Sequence, residues 1–378
     1  MKNIYLDNAA TTPILPEIID TISTTMATVY GNPSSTHQIG RKARALVETA
    51  RKNIAKYFNA SANEIVFTAG GSEADNLILR NAVVNLGVTT IISSKIEHHA
   101  VLHTIENLVK EFDIVVKWVD LNEKGVINYT HLEELLQEDT SKKMVSLMYI
   151  NNEIGNILNL KLVSDLCLQN KALFHSDTVQ GVGHFKIDIQ KTPIDFFVAS
   201  AHKFHGPKGV GFAYIKKGYG IFPILHGGEQ ERGARAGTEN VHSILGMEKA
   251  LQIAYTNLDK EVIYLQNLKN YFVKELKSNF QGIEFNGASE DEFKSSYIIL
   301  NVRFPKEYAM LLFNLDMKGI AVSGGSACQS GSHKGSHVLH TILSKNDALK
   351  TSVRFSFSKL NTKEEIDYVI KNLKEILK

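Results

Sequence analysis

The sequence predicts an α/β fold, a mainly parallel sheet with helices on both faces, followed by a smaller α+β domain. Three observations carry this expectation. Short apolar runs of strand length alternate with helix-period stretches through the first two thirds of the chain. Several of those runs stay apolar at successive positions, as strands buried on both faces do. After about residue 257 the texture changes to a long charged amphipathic stretch, two further strands and a closing helix.

In chain order, the expected strands are Ile65–Thr68, Thr90–Ser93, Val115–Val119, Met144–Tyr149, Ala172–His175 and Phe196–Ala199. Between them, Asp75 to Val84 and His99 to Phe112 read as helices. Strand and helix in repetition place the chemistry at the carboxyl ends of the strands. In the last third, Leu258 to Phe280 is amphipathic, and Ser296–Val302 and Ser352–Ser356 read as strands. No proline- or glycine-rich linker marks the change of texture.

With 378 residues and 43% hydrophobic content, the chain can bury a large core. Its 42 basic and 40 acidic residues leave a formal charge of +2, which provides neither a basic stripe for nucleic acid nor a polybasic arm for a membrane. A small-molecule substrate is the expectation. Two cysteines cannot build a disulfide framework, and the first residues lack the apolar core of a signal peptide, so the expected location is the cytoplasm. No apolar run approaches the roughly 18 to 20 residues of a membrane span.

Phe67-Thr-Ala-Gly-Gly-Ser-Glu-Ala-Asp75 is a strand running through two glycines into a helix, with Ser72 expected as N-cap. Unpaired N–H groups at such a helix start suit a phosphate, and a plain capped turn fits the same residues. His98 follows the next strand, where an imidazole can stack on a flat ring, relay protons or simply cap the following helix. Asn152 comes just after Tyr149, and Asp177 and Gln180 follow the strand from Ala172. A carboxylate there needs a positive partner such as a protonated ring nitrogen, unless it caps a helix.

Phe196-Phe-Val-Ala-Ser-Ala-His-Lys-Phe-His-Gly-Pro-Lys-Gly-Val-Gly211 is the densest motif. A hydrophobic strand runs directly into Ser200, His202 and Lys203, the pattern of a lysine that forms a Schiff base. Lys208 is the rival amine, in a turn that suggests exposure. A metal reading of His202 and His205 lacks a third ligand, because His333, His337 and His340 stand on another segment. Near the end, Ala321-Val-Ser-Gly-Gly-Ser-Ala-Cys-Gln-Ser-Gly-Ser-His333 sets Cys328 among small residues that cannot build a core around it. A mobile loop over about 323–336 presenting a reactive thiol is the expectation, against a chance surface cysteine. Cys167 lies in a helix-like stretch and reads as packing.

Taken together and in order, these residues resemble the cysteine desulfurases, pyridoxal-phosphate enzymes of the class V aminotransferase type. The resemblance also takes in Tyr5-Leu-Asp-Asn-Ala-Ala-Thr-Thr-Pro13, Tyr30-Gly-Asn-Pro-Ser-Ser35, His226-Gly-Gly-Glu-Gln-Glu-Arg-Gly-Ala-Arg-Ala-Gly-Thr-Glu-Asn240 and Arg354. It spans essentially the whole chain, and the segment around Cys328 is similar to the branch serving general iron–sulfur assembly and nitrogenase maturation.

The resemblance implies a PLP-dependent transferase of fold type I with a seven-stranded sheet. Its large domain would be 14–257, and 1–13 with 258–378 would form the small one. Lys203 would hold pyridoxal 5'-phosphate, Asp177 would keep its ring nitrogen protonated, and His98 would stack on it and shuttle protons. Asn152 and Gln180 would lie near the ring oxygen and substrate. Ser72, Ser200 and His202 would bind the phosphate, joined by Thr238 from the other subunit of a homodimer. Arg354 would clamp the carboxylate of L-cysteine, and Cys328 would take the sulfur as a persulfide and pass it to an acceptor protein. Two local departures stand out: Gly71-Ser72-Glu73 replaces the usual alanine-threonine-glutamate, and the segment after Arg354, Phe355-Ser-Phe-Ser-Lys-Leu360, lacks the glycine-arginine common in relatives.

Three other readings compete. A pyridoxal-phosphate aminotransferase or selenocysteine lyase would use the same fold with Cys328 dispensable or reserved for selenium. A cofactor-free sulfur carrier would have kept only the fold. A nicotinamide-dependent oxidoreductase would need a Gly-x-Gly-x-x-Gly turn after the first strand, which is absent.

Overall fold

The computed structural model describes residues 3–324 and 335–377; Cys328 and its immediate neighbours lie outside the described residues. Among the described residues there are twelve strands: β1 (Ile4–Tyr5), β2 (Ile65–Thr68), β3 (Thr90–Ser93), β4 (Val115–Trp118), β5 (Lys143–Ser146), β6 (Leu173–Asp177), β7 (Phe196–Ser200), β8 (Gly211–Ile215), β9 (Glu284–Phe285), β10 (Ile299–Arg303), β11 (Ile320–Ala321) and β12 (Ser352–Ser356). The helices are α1 (Pro16–Thr28), α2 (Gln38–Lys56), α3 (Gly71–Val84), α4 (His99–Glu111), α5 (Tyr129–Gln137), α6 (Leu160–Gln169), α7 (Val241–Asn279), α8 (Leu311–Met317), α9 (His337–Ile342), α10 (Lys345–Ala348) and α11 (Lys363–Ile376).

Seven strands form the main sheet in the order β2-β8-β7-β6-β5-β3-β4. Pairing from β7 through to β4 is parallel, and β8 runs antiparallel between β2 and β7. Alternation along each strand divides the core in two. Phe174, Phe197, Phe212 and Val145 face α1, α2, α6 and α7, whereas Leu173, Val198, Ala213 and Met144 face α3 and α4. Helices therefore cover both faces, and the strands between them need no polar side.

Two strand expectations are corrected. β4 is an edge strand, with Val115 half exposed at 53%, because it pairs only with β3. The run expected over Met144–Tyr149 leaves the ladder after Ser146, although the Leu147 and Tyr149 N–H groups still donate to the His175 and Asp177 carbonyls. Cys167 is buried in the core, where burial pushes its thiol pKa up.

β12, β10 and β9 form a three-stranded antiparallel sheet, and β1 pairs with β11 in a parallel ladder. Their core, with Phe272, Val302, Phe355 and Val369, is separate from that of the main sheet. Helix α7 runs unbroken through residue 257. Its first half packs in the large core up to Leu251, and its second half enters the other from Leu265.

Candidate active site

One cleft of about 560 Å³ opens at the carboxyl ends of β6 and β7, above the start of α3. It gathers Ser72, His98, Asn152, Asp177, Gln180, Ser200, His202, Lys203 and Arg354 from across the sequence. Thr238 is not among them. It is exposed and lines a neighbouring depression with Glu239 and Arg235.

The floor follows from the start of α3. That helix begins at Gly71 with Gly70 as N-cap, which corrects the expected capping role of Ser72. Close approach explains the shift: a Cβ on Gly71 would lie 2.5 Å from Val179 Cγ2, and one on Gly211 would lie 2.2 Å from the Ala199 carbonyl oxygen. Glycine lets the helix start against the sheet, and Ser72 becomes the second helical residue at the rim of the cleft. No side chain caps the helix; Glu73 braces the turn ahead of it, its Oε2 accepting from the Ala69 N–H at 2.8 Å and its Oε1 from Arg235 Nε at 2.9 Å.

Lys203 ends a short 3₁₀ turn directly after β7, and its Nζ donates to the carbonyls of Ala9 at 2.6 Å and Ala10 at 2.9 Å. Gln180 Nε2 donates to the same Ala9 oxygen at 2.9 Å. Thr12 bonds the His202 carbonyl through both its N–H and its hydroxyl, and His202 Nδ1 lies 3.2 Å from Thr11 Oγ1. Residues 9–12 thus wrap the lysine turn, a positioning role that no local pattern announced. Lys208, the rival amine, is exposed.

Asp177 closes β6 and is 6% exposed. Its Oδ1 accepts from the Val179 N–H at 2.9 Å, so it braces a turn, with no helix there to cap. His98 does cap α4, with Nδ1 accepting from the Ala100 N–H at 3.1 Å, and it also lines the cleft. That bond fixes Nδ1 as an acceptor and leaves Nε2 as the nitrogen free to exchange protons with a ligand. Burial lowers the His98 imidazole pKa, opposed by the Asp177 carboxylate and reinforced by Lys203. His202 falls to about 4 through burial and the Lys203 and Lys208 charges.

Arg354 is buried on β12, donating to Asp7 Oδ1 and to the Asn152 carbonyl, each at 2.8 Å. Ser323 Oγ donates to the same Asp7 oxygen at 2.9 Å. Asp7 therefore ties the arginine to the strand end that leads towards Cys328. Beyond the undescribed residues, α9 is pinned to the cleft wall: Ser336 Oγ donates to Glu153 Oε2, and His337 Nε2 lies 2.9 Å from the Glu97 carbonyl. His337 also packs on His99 with ring centroids 4.4 Å apart. Among the described residues no group of three or more His, Cys, Asp or Glu is placed to hold a metal ion.

Glu97, behind the cleft, is 1% exposed and accepts from Ser94 Oγ at 2.7 Å, yet burial pushes its pKa up to about 8. From the ordinary glutamate value of 4.5 up to about 8, the folded protein holds a proton that the unfolded chain releases. Stability contributed by Glu97 therefore declines as pH rises through that window. Glu97→Gln is neutral throughout. Denaturation midpoints measured from about pH 5 to 8 are expected to fall for the wild type relative to this variant; a difference constant with pH would refute the assignment.

These groups fit pyridoxal phosphate. The glycine-opened start of α3, Ser72, Ser200 and His202 suit the phosphate, the acid at the end of β6 suits a protonated ring nitrogen, and Lys203 supplies the amine. The cleft volume is within the range of small-molecule sites.

The chain matches the aminotransferase class-V family over residues 4–369. It is 38% identical to the cysteine desulfurase IscS of Dictyoglomus turgidum, across 100% of this chain and 95% of that protein. It is 40% identical to the putative cysteine desulfurase IscS 1 of Bacillus subtilis, across 100% of this chain and 99% of that one. Among solved structures, a NifS-like protein superposes with a TM-score of 0.91 at 36% identity, covering 100% of this chain and 99% of that chain. SspA in complex with cysteine superposes with a TM-score of 0.82 at 27% identity, covering 95% of this chain and 100% of that one. No helix among the described residues is long and apolar enough to cross a membrane.

Proposed function

The chain belongs to the class V aminotransferase family as a pyridoxal-phosphate-dependent cysteine desulfurase, and we propose that Lys203, Asp177, His98, Arg354 and Cys328 divide its reaction among them. The observation that carries this division is the convergence of an amine at the end of β7 and a buried acid at the end of adjacent β6 in one cleft.

When bound, pyridoxal phosphate supplies an electron sink for the bonds at the substrate α-carbon. Ser72, Ser200 and His202 hold the phosphate, with the N–H groups at the start of α3 aimed the same way. Asp177 holds a proton on the ring nitrogen, Gln180 and Asn152 orient polar groups beside the ring, and Lys203 Nζ moves the α-proton. His98 Nε2 relays a proton to or from the thiol chemistry, since an unperturbed thiol of pKa about 8.5 is only a few per cent ionised at neutral pH. L-cysteine and the Cys328 thiol together give L-alanine and a Cys328 persulfide; the electrons balance without an outside oxidant.

Arg354 is the carboxylate clamp. Arg354→Lys is expected to raise KM for L-cysteine by about 10- to 100-fold with a smaller change in kcat, because a point charge cannot replace a two-pronged donor. An unchanged KM would remove Arg354 from substrate binding.

The sulfur serves iron–sulfur cluster assembly or other thio-cofactors, and the acceptor is proposed to be a scaffold or carrier protein met in the cytoplasm. A homodimer is also proposed, because Thr238 is needed at the phosphate in the family pattern and is not in its own chain's cleft. Incubating the purified holoprotein with L-cysteine and a thiol reductant tests the whole reading. Equal amounts of alanine and sulfide are expected, and sulfide without alanine would overturn it.

A further inference from the structure

Asp75 and His175 have no part in the roles above, and both are buried, at 1% and 0% exposure. His175 stands two residues before Asp177 on β6, so strand alternation turns both side chains to the face covered by α3. From α3, Asp75 lines the cleft and sets its Oδ1 3.3 Å from His175 Nε2. On the opposite side of the ring, His175 Nδ1 lies 2.9 Å from Ser146 Oγ on β5, directly across the β5–β6 pair. Among the described residues neither Asp75 Oδ1 nor His175 Nε2 has a hydrogen-bond partner, and each faces the other.

Charge makes this pair demanding. Asp75, Glu97 and Asp177 bring three carboxyl groups behind one cleft, and adjacent buried carboxylates cannot all ionise. Burial first, then the Asp177 and Glu97 carboxylates, push Asp75 well above the ordinary aspartate range, and burial pushes His175 down to about 3. Two arrangements fit these contacts: a protonated Asp75 carboxyl donating to His175 Nε2 while Nδ1–H donates to Ser146 Oγ, or Nε2–H donating to an ionised Asp75 while the Ser146 hydroxyl donates to Nδ1. The first keeps a further anion out of the buried cluster of carboxyl groups.

We propose that Asp75 is a positioning residue for the cofactor site, sharing one proton with His175 in a pair of zero net charge, so that Asp177 is the acid left to meet the cofactor's ring nitrogen. The proposal rests on reading the cleft as the pyridoxal-phosphate site. An ionised Asp75 would place a second anion behind Asp177, and an absent one would leave the His175 ring without its anchor.

Two substitutions that keep the forked shape of the side chain separate these roles. Asp75→Asn stays neutral and can still donate to Nε2; Asp75→Leu keeps the bulk and loses the bond. Infrared difference spectra of apoprotein, wild type minus Asp75→Asn, are expected to show the carbonyl stretch of a protonated carboxylic acid. Asp75→Asn is expected to bind pyridoxal phosphate within about threefold of wild type, with the pH midpoint of the visible band unmoved. Asp75→Leu is expected to bind it at least about tenfold more weakly, equivalent to one lost buried hydrogen bond.

A missing carboxylic-acid band, a midpoint lowered by about one pH unit or more in Asp75→Asn, or wild-type affinity in Asp75→Leu would each overturn the proposal. Should Asp75→Leu fail to fold, the Asp75→Asn spectra decide alone. Wild-type protein that forms no visible band with pyridoxal phosphate would instead overturn the reading of the cleft itself.

Discussion

Lys203→Ala is expected to lower the release of alanine and sulfide from L-cysteine by at least about a thousandfold, and to leave no cofactor attached to the protein after borohydride reduction. The size of the effect follows from the position. Lys203 comes out of a buried strand through a 3₁₀ turn, and Thr12, Thr11 and the Ala9 and Ala10 carbonyls hold that turn in place. Lys208 lines the same cleft but is exposed, whereas Lys203 is held by the Ala9 and Ala10 carbonyls; Lys208→Ala is expected to keep most of the activity. The amine serves twice, as the attachment point for the cofactor and as the carrier of the α-proton, so truncation removes both at once. Mass spectrometry of the reduced protein and an alanine assay check the two roles separately. Covalent cofactor on Lys203→Ala would move the assignment to another lysine.

Cys328→Ala is expected to abolish sulfide formation to a similar degree while leaving the visible absorbance of the holoprotein intact. The substrate should still perturb that absorbance, since Arg354 and the Lys203 turn are untouched. This pairing of a lost product with a kept spectrum separates the desulfurase mechanism from its rivals. An aminotransferase, or a lyase that reserves the cysteine for selenium, would release sulfide at the wild-type rate; a cofactor-free carrier would show no absorbance to perturb. The described residues set both approaches to the thiol. On one side Ser323 is bonded to Asp7 and thereby to Arg354; on the other Ser336 and His337 are fixed to Glu153 and Glu97. The described residues on either side of the segment bearing Cys328 are therefore bonded to residues that contact or adjoin the cleft-lining Arg354, Asn152 and His98.

Much of this was legible in the sequence because parallel α/β sheets punctuate themselves. A strand covered on both faces is mostly apolar, so an acid closing β6 at Asp177 and an amine just after β7 at Lys203 mark the edge of the sheet and the chemistry together. Glycines adjoining Ser72 likewise announced a helix start open to a ligand, although which residue capped it depended on the Val179 side chain against which Gly71 packs.

What the sequence determined by itself is the alternating architecture, the order of the functional residues and the chemical type of each, because all three are written in local runs of burial and polarity. Only the tertiary structure decided how those residues are held. Ala9 and Ala10 accept from a lysine 194 and 193 residues away, and Asp7 pairs with an arginine 347 residues away. Asp75 meets His175 across the helix–sheet interface, and Thr238 stands outside the cleft of its own chain. Such contacts carry no periodicity. They arise when separate elements pack, and burial then fixes which carboxyl groups can keep their charge.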